Sequence, residues 1–117
     1  MITKDDMACR DHCGEMVVNQ RFLDMLNAAE LLMYPSTIPL PLNSGYRCAK
    51  HNAEVGGKPS SAHRTGEAVD IMVRSSGERH RLLKALLSAG FNRIGIGANF
   101  LHADSSLTLP QNVIWMY

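Results

Sequence analysis

Between Glu15 and Tyr34 the apolar residues Val18, Phe22, Met25, Ala29 and Leu32 recur every three or four positions, the spacing that lays one apolar stripe along a helix. The stripe predicts a long helix over 15–34 that packs against a core. Pro35, Pro39 and Pro41 come next, and because proline offers no amide donor, the stretch from Ile38 to Tyr46 is expected as extended chain at a sheet edge or entry. Cys48 to Val55 reads as a short helix stopped by Gly56-Gly57, and residues 58–66 as a turn-rich loop. Ala68 to Val73 then reads as a strand. A second amphipathic helix comes after it, with Ser75 as N-cap, Glu78 three residues later as the other half of a capping box, and Gly90 as its stop. Its stripe is Leu82, Leu83, Leu86 and Leu87. Two short runs, Arg93 to Gly97 and Phe100 to Asp104, are split by Ala98-Asn99 and predict a tight antiparallel hairpin. Val113 to Tyr117 adds a final strand. The expected fold is α+β, a small and largely antiparallel sheet with helices packed on it, in a single domain over 1–117.

Composition narrows the function. Hydrophobic residues at 45% and charged residues at 20% describe a folded chain with enough apolar surface for one core. A formal net charge of +1 and no run of Lys or Arg give no field to draw in phosphate backbones or anionic lipid, so nucleic acid is not an expected partner. No apolar stretch approaches the roughly 20 residues that span a bilayer, and membrane insertion is not expected either. The start, MITKDDMACRDHC, is polar where a signal peptide carries its apolar segment, which predicts a protein made in the cytoplasm. Cys9, Cys13 and Cys48 are odd in number. They read as buried thiols, as one disulfide with one thiol left over, or, with His12, as a small second metal site.

The chemistry lies in two strands and the loop before the first. Side chains alternate across a strand, so Asp70 shares a face with Ala68 and Met72, and His102 shares one with Phe100 and Asp104. A carboxylate on a half-buried face needs a proton, a hydrogen-bond donor or a metal. His63 lies upstream in a loop that Gly66 can fold back onto the strand. If the two strands pair, His63, Asp70 and His102 converge as two imidazoles and a carboxylate, a set that suits zinc and leaves one position open. Beside this stands the ordinary alternative: Asp70 capping a loop, His102 a satisfied core histidine, His63 a solvated loop residue. His80, between Arg79 and Arg81, reads as part of a solvated helix face, and Tyr46 and Trp115 as core or cleft wall.

Ser61-Ala62-His63-Arg64-Thr65-Gly66-Glu67-Ala68-Val69-Asp70 fills every fixed position of the pattern S-x-H-x-x-G-x-A-x-D. In this the chain resembles the zinc D-alanyl-D-alanine carboxypeptidases and related phage endolysins, whose fold is shared by the zinc-binding signalling domain of hedgehog proteins. It is similar to their small phage-type branch at Ser44-Gly45-Tyr46-Arg47-Cys48 with His51-Asn52, at Val55-Gly56-Gly57, at Phe100-Leu101-His102-Ala103-Asp104 and in the closing Trp115. The resemblance implies that His63, Asp70 and His102 hold one zinc ion and that Arg47 steadies the substrate or a developing oxyanion. Ser61 is a further candidate for substrate binding, and the resemblance places the His51 segment beside Arg47, where His51 either lines the cleft and binds substrate or packs. The implied reaction is hydrolysis of peptidoglycan peptides, by a carboxypeptidase or an endolysin-type endopeptidase; the chain is expected as a monomer.

One position departs from the family pattern. Several members carry an acidic general base three positions before the last histidine, where this chain has Asn99, and an amide cannot take a proton from water. The similar branch keeps an acid two positions after that histidine. Asp104 is therefore the expected base, or else the partner that orients a ligand, with Glu54 and Glu67 as further candidates. A zinc module that binds wall peptides or a protein partner without cutting is the second reading. A wall-degrading role would also need an export route, such as a membrane pore during phage lysis.

Overall fold

The computed structural model describes residues 1–9, 16–33 and 40–117. The chain forms α1 (Gln20–Met33), β1 (Leu42–Ser44), α2 (Ala49–Glu54), β2 (Ala68–Met72), α3 (Ser76–Ser88), β3 (Arg93–Ile96), β4 (Phe100–Asp104) and β5 (Val113–Met116), with single 3-10 turns at Asp5–Met7 and Ala62–Thr65. The five strands make one sheet in the order β1-β2-β4-β3-β5. Its first four strands pair antiparallel, and β5 runs parallel to β3. The architecture is α+β with a mixed sheet, antiparallel at every pairing but one.

The two long helices begin where a side chain satisfies their orphan amides. Asn19 Oδ1 accepts the Phe22 amide at 2.9 Å at the head of α1. Ser75 Oγ accepts the Glu78 amide at 3.1 Å at the head of α3. The Asn19 cap explains why α1 starts at Gln20 and not nearer Glu15. Glu15 and Tyr34, the bounds expected for this helix, lie outside the described residues, as do Pro35 and Pro39.

The helices cover one face of the sheet. Val69 and Ile71 of β2, Leu101 and Ala103 of β4 and Ile94 of β3 pack against Phe22, Leu26 and Ala29 of α1 and Leu82 and Leu86 of α3 in one buried cluster. Each of the larger aliphatic side chains contributes about 1.5–3 kcal/mol on full burial. Phe22 and Phe91 meet edge to face at 5.9 Å between ring centres, a favoured aromatic geometry.

Two positions in the expected stripes face solvent instead: Leu32 is 57% exposed and Leu87 46%. The buried line of α1 is Phe22, Leu26, Ala29 and Met33, one position round from the expected stripe, and in α3 Ala85 is buried while Leu87 is not. Rows at i+3 and i+4 both satisfy a helical period. The side of the helix that meets the sheet decides between them, and a leucine adjoining the buried row can remain in water at modest cost.

Cys9 and Cys48 are buried and pack with Tyr46, and the Cys48 amide donates to Cys9 Sγ at 3.4 Å. Cys13 and His12 lie outside the described residues, and with them the expected pairing or second metal site. His80 is exposed. Among the described residues no helix is long and apolar enough to cross a membrane.

Candidate metal centre

Strand register brings the polar residues of the uncovered face into one row. Asp70 stands directly opposite His102, and Ala68 opposite Asp104. On the other side of β4, Gly95 faces His102 and Arg93 faces Asp104. The row continues to Trp115, which faces Gly95 from β5. A Cβ on Gly95 would lie 2.7 Å from Trp115 Nε1 and 2.6 Å from Tyr117 Cε2. The missing side chain thus lets both rings lean over the sheet, with Trp115 5.3 Å from the His102 ring, centre to centre.

His63 reaches this row from the 3-10 turn. Ser61 Oγ accepts the His63 amide at 3.2 Å and caps the turn. Gly66 ends it at φ +71, a left-handed conformation that glycine adopts without the steric penalty of a Cβ. Two contacts to the neighbouring segment fix the ring and its backbone: His63 Nδ1 donates to the Gly45 carbonyl at 2.6 Å, and the Arg47 amide donates to the His63 carbonyl at 3.0 Å.

His63, Asp70 and His102 offer ligand atoms that all lie within 4.8 Å of one another. The partners of each ring assign its proton. With Nδ1–H given to Gly45, His63 turns a lone pair at Nε2 toward Asp70 Oδ1, 3.4 Å away, and this buried nitrogen has no hydrogen-bond partner among the described residues. With Nε2–H given to Asp104 Oδ2 at 2.8 Å, His102 turns Nδ1 toward the same Asp70 oxygen at 3.0 Å. Three lone pairs meeting in a buried pocket require a cation or a proton between them. Ligands bound tetrahedrally at about 2.0–2.1 Å stand about 3.3 Å apart, so the two nitrogen-to-oxygen separations, 3.4 and 3.0 Å, suit a zinc-sized ion. The residues fit the metal.

Titration is governed by the same contacts. Burial works to raise the Asp70 pKa, but the adjoining imidazoles of His102 and then His63 outweigh it and hold the carboxyl well below the usual range. Burial also works against charge on His102, yet its bonds to Asp104 and Asp70 prevail and raise its pKa. For His63 burial wins and lowers it.

Asp104 is 1% exposed and both its oxygens are engaged. Oδ2 accepts His102, while Oδ1 accepts Arg93 Nε at 2.7 Å and the Ser106 amide at 3.2 Å. Burial works to raise its pKa, and the His102 hydrogen bond, aided by Arg93, holds it below the usual range. The carboxylate thus sits on the far nitrogen of His102 from the ligand cluster, the geometry of a group that orients a metal-binding imidazole.

Asp70 and His102 open onto a cleft of about 720 Å³ whose walls include Arg47, Ser61, Phe100, Trp115 and Tyr117. The Arg47 guanidinium is half-buried; desolvation lowers its pKa and the nearby Asp70 partly offsets this. Its Nη2 reaches Ser61 Oγ at 3.5 Å, and its buried Nε has no partner among the described residues. Other expected residues stand elsewhere: His51, half-buried in α2, Glu54 and Glu67 are not part of the cleft wall. Asn99 is exposed in the β3–β4 turn. Arg93 is absent from the residues the sequence pattern singles out, although a signal exists: a hairpin turning at Ala98-Asn99 sets residue 93 against residue 104.

Residues 1–104 match the family model described as Peptidase M15. No curated protein matches the chain.

Proposed function

Because this chain belongs to the peptidase M15 family of zinc metallopeptidases, we propose that it hydrolyses the peptides of peptidoglycan, as a carboxypeptidase or an endolysin-type endopeptidase, with one zinc ion held by His63, Asp70 and His102. The observation that carries the reading is the orphaned Nε2 of His63, buried and aimed with His102 Nδ1 at a single oxygen of Asp70. When bound, the ion supplies a Lewis acid that polarises a scissile carbonyl and makes water a stronger nucleophile at neutral pH.

The chain's own residues supply the rest. Gly45 fixes the His63 tautomer and Asp104 that of His102, so both imidazoles present lone pairs to the same point. Arg47, its guanidinium partly desolvated beside Asp70, binds the carbonyl or carboxylate oxygen of the peptide, where low dielectric strengthens the contact. Ser61 anchors both the His63 turn and Arg47. Phe100, Trp115 and Tyr117 form an aromatic wall for the peptide. His51 has no part in this arrangement. The chain acts as a single domain and a monomer, reaching its wall substrate on release from the cell during phage lysis.

The test uses His63→Ala and Asp70→Ala, with zinc measured by elemental analysis and peptide release measured from purified cell wall. Each variant is expected to lose the metal and the cleavage together. Full cleavage by a variant that holds no metal overturns the proposal. One observation favours a second reading, a zinc module that binds wall peptides without cutting them: the carboxylates of the cleft wall, Asp70 and Asp104, are both committed to histidine, and Asn99 is an amide. Zinc-loaded wild-type protein that binds wall peptides but hydrolyses none selects that reading.

A further inference from the structure

Asp104 can orient His102 only if its own carboxylate is held, and the structure shows what holds it. Arg93 Nε donates to Asp104 Oδ1 at 2.7 Å in a pair whose side chains are 10% and 1% exposed. The same guanidinium donates through Nη1 to the Pro110 carbonyl and lies over the Trp115 ring, 5.1 Å from its centre. Each of these contacts engages a different part of one planar fork, a geometry that lysine's single ammonium cannot reproduce.

The contacts connect two parts of the chain. Asp104 is the last residue matched to the family, whereas Pro110 and Trp115 lie in the 105–117 segment beyond the match. That segment is tied down in turn: Arg21 donates to the Ser105 carbonyl at 3.3 Å, and Ser106 donates its amide to Asp104. Arg93 is where its placement meets the metal centre.

We propose that Arg93 is a positioning residue for the metal centre, one that locks Asp104 against His102 and thereby couples the seating of the C-terminal segment, through Pro110 and Trp115, to the presentation of His102 Nδ1. This role rests on the reading of His63, Asp70 and His102 as a zinc site. Removing the fork frees Asp104 to rotate, and His102 loses the acceptor that keeps its proton on Nε2. Zinc affinity then falls by about 10- to 100-fold, the usual consequence of removing a group that orients a ligand.

The experiment compares the wild-type chain, Arg93→Met and Arg93→Lys. Zinc affinity is measured by competition with a chelator, the His102 tautomer by nitrogen-15 NMR of the imidazole in the zinc-loaded protein, and folding by thermal circular dichroism without metal. Arg93→Met is expected to fold, to bind zinc about 10- to 100-fold more weakly and to show mixed protonation at His102, with Arg93→Lys recovering only part of the affinity. Wild-type affinity and an unchanged tautomer in Arg93→Met overturn the proposal. If Arg93→Met does not fold, Arg93→Lys decides: reduced affinity supports the fork, and wild-type affinity overturns it. A wild-type chain that binds no zinc refutes the metal reading itself, a result distinct from any of these.

Discussion

Replacing Asp104 with asparagine changes one oxygen to an amide nitrogen without changing volume, and the hydrogen bonds around the carboxylate dictate the outcome. The carboxylate accepts from His102 Nε2, Arg93 Nε and the Ser106 amide, whereas an amide has one acceptor atom and a donor where the other stood. If the oxygen stays with Arg93 and Ser106, the new NH2 meets His102 Nε2–H donor to donor. The ring escapes by moving its proton to Nδ1, which then donates to Asp70 and no longer presents a lone pair to the metal. Zinc affinity is expected to fall by about 10- to 100-fold, equivalent to about 1.4–2.8 kcal/mol. The stability cost is separate. Arg93 keeps its hydrogen bond to the amide oxygen but loses the opposite charge in a pocket where its side chain is 10% exposed, so the cost stays below the roughly 3–5 kcal/mol of removing one member of a buried pair outright. Urea unfolding of the metal-free protein and chelator competition at fixed pH measure the two effects. Wild-type stability and zinc affinity combined with a collapse of turnover at saturating zinc would refute the orienting role, because Asp104 would then be accepting the proton instead.

The same geometry sets two further outcomes. In the metal-free chain Asp70 and Asp104 both have folded-state pKa values below the usual range, so their stabilisation is complete above the unfolded carboxylate value of about 3.9 and is lost as pH falls through the folded values. The urea midpoint should therefore decline below about pH 4, and a midpoint that stays level from there to strongly acidic pH contradicts the pairing. Gly66→Ala places a Cβ 2.0 Å from the Val17 carbonyl oxygen at a position with φ +71. The left-handed backbone alone costs about 1–2 kcal/mol and the overlap adds to it, so a fall of about 2 kcal/mol or more is expected in urea unfolding; a loss under half that would show the turn can relax.

Much of this architecture is set by local rules. Ser75 and Gly90 bound α3, the alternation in 68–73 makes a strand, and Ala98-Asn99 makes a hairpin, because caps, pleats and tight turns depend on a few neighbouring residues. The same alternation put Asp70 on one face of its strand and His102 with Asp104 on one face of theirs, and the pattern around His63 carried the resemblance that made a metal set of the three. The side of a helix that meets the sheet is not local, which is why Leu32 and Leu87 turn to solvent while Met33 and Ala85 are buried. The parallel placement of β5 on β3 is likewise a choice among distant partners.

The site divides in the same way. Residue type and spacing determine which groups are capable of binding a metal, since imidazole and carboxylate chemistry belongs to the side chain wherever it sits. Which nitrogen of each ring faces the cluster was decided only when Gly45 came to lie beneath His63 and Asp104 to lie against His102, contacts that span 18 and 2 positions. Arg93, 11 positions from its partner, is signalled only by the register of the hairpin that turns at Ala98-Asn99, because a buried ion pair is a property of two paired strands and not of composition or periodicity. His51 shows the converse. Its place three residues after Cys48 suits a cleft residue as well as a packed one, and in the structure it is half-buried on α2, because the direction of a short helix is set by what it packs on and not by its own sequence.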